Sequence, residues 1–67
     1  MIKESKLAQA ARHVAQAKRI VAQQRQLIAR ERQAGRDTTF AEDLLNRFER
    51  TLAVFESDLR AIQGNGD

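Results

Sequence analysis

The sequence contains no cysteine, no proline, no tryptophan and no tyrosine, and only three phenylalanines. Without cysteine there is neither a disulfide framework nor a thiolate metal site. Without proline nothing forces a helix to kink or stop. Glycine is confined to Gly35, Gly64 and Gly66, so left-handed backbone is cheap at only two places in the chain. No apolar run approaches the ~18 residues of a membrane span, and the N-terminus has no apolar stretch of the signal-peptide kind. The expectation is a cytoplasmic protein with no membrane association.

What is present is the Ala/Gln/Arg/Glu/Leu mixture of long helices, with charged residues at 31%. Sixty-seven residues make one small domain. The net charge of +3 hides an asymmetry. Residues 1–36 carry nine Lys/Arg against Glu4 and Glu31, a net of +7. Residues 37–67 carry Arg47, Arg50 and Arg60 against seven acids, a net of −4.

The one strong break is Ala34-Gly35-Arg36-Asp37-Thr38-Thr39. Gly35 suits the left-handed residue just past a helix end. Thr39 followed by Glu42 spells a capping box, and Asp37 or Thr38 offers an alternative N-cap. The alternative is one continuous helix, since an internal glycine costs only about 1 kcal/mol. The break predicts an all-α fold, an antiparallel two-helix hairpin of coiled-coil type. Its helices run over about 2–34 and 39–62, joined by a loop at 35–38 and followed by a frayed tail at 63–67.

From Leu7 to Ala34 the pattern repeats every seven residues. With Leu7, Val14, Val21 and Ile28 at position a, Ala10, Ala17, Gln24 and Glu31 fall at d. His13, Ile20, Leu27 and Ala34 fall at g, so the apolar arc is wider than a two-stranded seam. Gln24 is either a register-fixing polar residue near the seam or a partly exposed one at a bundle edge. An alanine stripe at b, Ala8, Ala15, Ala22 and Ala29, reflects helix propensity or marks a second, shallow contact. In the second arm Ala41, Leu45, Phe48, Leu52, Phe55, Leu59 and Ile62 step alternately by four and three residues, a heptad seam.

Folding the chain at the loop sets e positions against e positions. Arg32 meets Glu42, Arg25 meets Glu49 and Lys18 meets Glu56, all at one register. Exposed pairs contribute only ~0.2–1 kcal/mol each, so this ladder sets orientation more than stability. At about 1.5 Å per residue the first helix reaches ~50 Å and the second ~36 Å, leaving Ile2 and Leu7 on an overhang.

Two helices have no interior, and chains this small rarely stand alone without disulfides, metal or association. Ile20, Leu27, Leu44 and Val54 are left at the edge of the seam and form a candidate dimer face. The expected assembly is a homodimer with a four-helix bundle.

Little chemistry is available. His13 is the only histidine, too few ligands for zinc, and reads as a packing residue. No Ser has a nearby base, and no Gly-rich phosphate loop exists. The expectation is a non-enzyme with no catalytic residue, cofactor or metal, acting through self-association and protein–protein contacts. The alternative is a dimeric nucleic-acid-binding regulator. Arg12, Arg19 and Arg30 lie outside the ladder and form a candidate phosphate-contacting face, although no aromatic on the basic arm is placed to stack on bases. By architecture alone the hairpin resembles the Rop type of plasmid regulator, which dimerises and binds paired RNA loops.

One family resemblance rests on residues. Gly35-Arg36-Asp37-Thr38-Thr39, then Ala41-Glu42, Leu44-Leu45, Phe48-Glu49 and Leu52, preceded by Ala-Gln-Arg repeats, is similar to short uncharacterised hairpin proteins of alpha-proteobacterial (rhizobial-type) genomes. The resemblance covers nearly the whole chain. It implies the hairpin and no activity, cofactor or functional residue.

Overall fold

The computed structural model describes residues 4–65, and within them the chain forms two α-helices packed against each other, with no strand. Helix α1 spans Lys6–Gln33 and helix α2 spans Thr39–Gly64. The expected start at residue 2 is corrected to Lys6. Ser5 is the N-cap, in extended conformation, and its hydroxyl accepts from the Ala8 amide at 3.0 Å. That bond satisfies an amide that has no helical partner, so the helix begins there. Ile2 and the last two residues, Gly66 and Asp67, lie outside the described residues.

The end of α1 follows from Gly35. Its φ of +73° places it in the left-handed region, where the continuous-helix alternative has no place. Gly35 N–H donates to the Arg32 carbonyl at 3.0 Å, and Arg36 N–H donates to the Glu31 carbonyl at 2.9 Å. Together these two bonds make a complete Schellman motif, closing carbonyls that the helix leaves open.

At the start of α2 the expected capping box at Thr39 is corrected. Thr38 is the N-cap, and Thr39 is already helical. The Thr39 amide and hydroxyl both donate to Asp37 Oδ1, at 2.9 and 2.7 Å. The Thr38 hydroxyl donates to the Glu42 carboxylate. Three adjacent oxygen-bearing side chains compete for one cap, and Asp37 takes the amide through an Asx turn. The second helix also runs past the expected end at Ile62. Gly64 is helical, and Asn65 N–H closes on the Ala61 and Ile62 carbonyls. A glycine in the last turn costs too little to stop a helix whose bonds are already formed.

The helices are therefore nearly equal, about 42 and 39 Å at 1.5 Å per residue, and the described residues show no long overhang of the first helix. Leu7 is half-buried. The Cα extents of 49 × 25 × 13 Å describe a slab one helix thick.

Burial is uneven between the two helices. Ala10, Val14, Ala17, Val21, Gln24 and Ile28 are buried, all at a or d of α1. No residue of α2 is buried; Leu45, Phe48, Leu52, Phe55, Leu59 and Ile62 are half-buried. The reason is size. Small side chains on α1 let α2 approach closely, and the large Leu and Phe side chains of α2 spread over them, with flanks left open.

Candidate interaction face

A hairpin one helix thick has two broad sides, one carrying the e stripes and the other the g stripes. The residues on each decide what the side can do.

The e side is charged. Arg25 pairs with Glu49 at 2.6 Å and Arg32 with Glu42 at 3.1 Å, all four side chains well exposed. The third expected rung differs: Lys18 and Glu56 make no ion pair within 4 Å. Lysine presents a compact ammonium on a flexible stem, where arginine presents a preorganised fork, so the lysine rung gains less by ordering. Glu42 lies below the usual carboxylate range, held there first by the Thr38 hydroxyl and then by Arg32. Asp37 is lowered as well, by the hydroxyl and then the amide of Thr39.

The g side carries apolar residues along much of its length, flanked by Gln16, Gln23, Arg30 and Arg47 on its outer c stripes. Ile20 is 44% exposed and Val54 57%, while Leu27 and Leu44 are half-buried. Phe40 is 75% exposed, and the sequence pattern did not single it out. It stands two heptads from Val54, on the same c stripe, and that spacing was the available signal. A groove of about 130 Å³ runs between the helices here, lined by His13, Gln16, Ala17, Ile20, Phe48, Thr51 and Phe55. Toward the open end of the hairpin the lining turns polar. His13 and Asp58 share a cleft there with Lys6. His13 stacks on Phe55, ring centroids 5.1 Å apart and planes tilted by 33°, so it packs at the helix interface as a residue of the apolar edge.

Gln24 is not an exposed edge residue. It is 9% exposed, and its Nε2 donates to the Ala41 carbonyl at 2.8 Å.

The candidate phosphate-contacting residues do not form one free face. Arg12 is engaged by Glu4, with Nη2 to Oε1 at 2.8 Å and Nε to Oε2 at 3.1 Å. This bidentate pairing holds the Glu4 carboxyl below its usual range. Arg19 and Arg30 have no ion pair among the described residues. No group of three or more His, Cys, Asp or Glu among the described residues could hold a metal ion, and no helix there is long and apolar enough to cross a membrane. No protein-family model, no curated protein and no solved structure matches the chain.

Proposed function

We propose that this chain is a small non-catalytic helical hairpin that acts by self-association, as a homodimer with a four-helix bundle, and by contact with other proteins. One observation carries the reading: the whole apolar seam of α2 stays half-exposed, with Ile20, Val54 and Phe40 standing open beside it. Apolar surface left in water costs ~25 cal/mol per Å², and a second copy laid on the g side removes it for both chains at once. The e side, studded with ion pairs, is costly to desolvate and stays in water. A cytoplasmic setting belongs to the same proposal and accords with a sequence that has no cysteine.

Sedimentation at micromolar concentration tests the reading. The expected mass is twice the 7.6 kDa of one chain, with a melting temperature that rises with concentration. A compact, fully helical monomer would remove it.

The Rop-like nucleic-acid reading rests on Arg19 and Arg30 alone once Arg12 is engaged by Glu4. It requires measurable affinity for generic RNA or DNA at low salt, falling steeply as salt rises.

A further inference from the structure

Resting on the self-association proposed above, we infer that the second copy is related by a two-fold axis parallel to the helices. Both loops then lie at one end of the bundle, and α1 of each chain packs on α2 of the other. The competing arrangement has its axis perpendicular to the helices and turns one hairpin end for end.

The g side is graded along its length, and the grading decides between the two. Near the loop its g stripes carry Leu27 and Leu44, and its outer c stripes carry Phe40 with Arg30 and Arg47. At the middle it carries Ile20, Thr51 and Val54. At the open end it carries His13, Asp58 and Lys6. The end-for-end dimer lays Leu44 over the partner's Asp58 and Leu27 over the partner's His13. A carboxylate pressed against leucine loses water and gains no partner, a costly exchange. The parallel axis matches levels instead. Leu27 meets the partner's Leu44, and Asp58 meets the partner's His13, polar group on polar group.

Charge points the same way. Helix α1 carries seven Lys/Arg against Glu31, a net of +6, and α2 carries three Arg against five acids, a net of −2. The end-for-end dimer sets α1 on α1 and α2 on α2, like sign on like sign. The parallel axis sets each basic helix between two acidic ones, so the complementarity within the hairpin is repeated across the interface.

The absence of cysteine makes the test clean, because one introduced thiol is the only thiol. Gln33→Cys near the loop and Gln63→Cys near the open end each replace an exposed side chain and take a spin label. Pulsed dipolar spectroscopy on each labelled dimer reads the distance between equivalent positions. With both loops at one end there is no separation along the bundle, and helices spaced 8–10 Å apart hold the labels within about 30 Å at both positions. End-for-end packing adds ~40 Å along the axis for Gln33, thirteen residues from the midpoint at 1.5 Å each on both chains. Short distances at both positions bear the inference out. A long distance at either position in a chain of dimer mass overturns the orientation and leaves self-association standing. A chain that sediments as a monomer overturns both.

Discussion

The side-chain amide of Gln24 crosses the helix pair to donate to the backbone carbonyl of Ala41 at 2.8 Å, from a site only 9% exposed. It is the one polar side chain in the buried seam of α1. The Ala41 carbonyl also belongs to the α2 ladder, so it keeps a partner when the glutamine is removed.

Gln24→Leu should therefore leave stability unchanged or raise it, since both lost partners are compensated by apolar packing of similar volume. Gln24→Ala leaves a void and should cost about 1–3 kcal/mol. Urea denaturation of both variants measures the difference. A leucine variant as damaged as the alanine variant would show that the hydrogen bond itself matters for stability. If it fixes register instead, the leucine variant keeps its stability and shows a second set of amide signals.

The charged side permits a double-mutant cycle. Arg25→Glu should weaken the hairpin modestly, and adding Glu49→Arg should recover most of the loss, a coupling of about 0.2–1 kcal/mol. The same cycle on Lys18 and Glu56 should give no coupling, since these two side chains make no ion pair. Equal couplings at the two sites would contradict the geometry.

Gly35→Ala should cost about 1–2 kcal/mol. A Cβ at Gly35 meets no atom within 4 Å, so the penalty is conformational and comes from the φ of +73°. Gly35→Asn should cost less, because asparagine tolerates the left-handed region. Thermal melts of the two variants settle the order, and a neutral alanine would mean the loop relaxes into another turn.

Asp37 and Glu42 both lie below their ordinary values because Thr39 donates to the charged form of Asp37, and Thr38 and then Arg32 to that of Glu42. A carboxyl lowered in the folded state adds stability above its unfolded value, about 3.9 for Asp and 4.3 for Glu, and loses it as pH falls through the folded value. Acidification below about pH 4 should therefore loosen the first turn of α2 before the rest of the helix. Amide exchange at Thr39 and Glu42, followed by NMR across that range, should show protection falling with pH. Protection that holds at pH 2 would separate these contacts from the stability of the turn.

On the apolar side, Leu27→Lys should cost several kcal/mol of association. A leucine is worth about 1.5–3 kcal/mol when buried, and a two-fold axis removes it twice. In the proposed dimer folding would be coupled to assembly, so the expected variant loses helix by circular dichroism at concentrations where the parent is folded. A variant that remains a folded dimer would move the interface away from Leu27.

The hairpin was legible because period and punctuation agree. The seven-residue repeat fixed which residues of α1 are buried, and Gly35 fixed where it stops. Helix ends were less legible. A heptad continues in either direction without saying where it starts, and Ser5 shows only half a capping signature, with Ala8 at the third helical position. At the loop Asp37, Thr38 and Thr39 all carry a capping oxygen, and composition does not rank them. Gln24 left two readings open because polarity predicts exposure while position predicts burial. Phe40 escaped because it lies off the four-three steps of its own helix.

The division of labour along the seam, small side chains on α1 roofed by large ones on α2, also sets what substitution the chain can tolerate. A roofed residue has no room to grow, so Ala10, Val14, Ala17 and Val21 accept little beyond their present volume. A roofing residue has a flank open within its own hairpin, so exchange of Leu52, Phe55 or Leu59 among leucine, methionine and phenylalanine disturbs the packing of the two helices less. Packing within the hairpin should therefore hold the inner stripe of the basic helix more tightly than the seam of the acidic one.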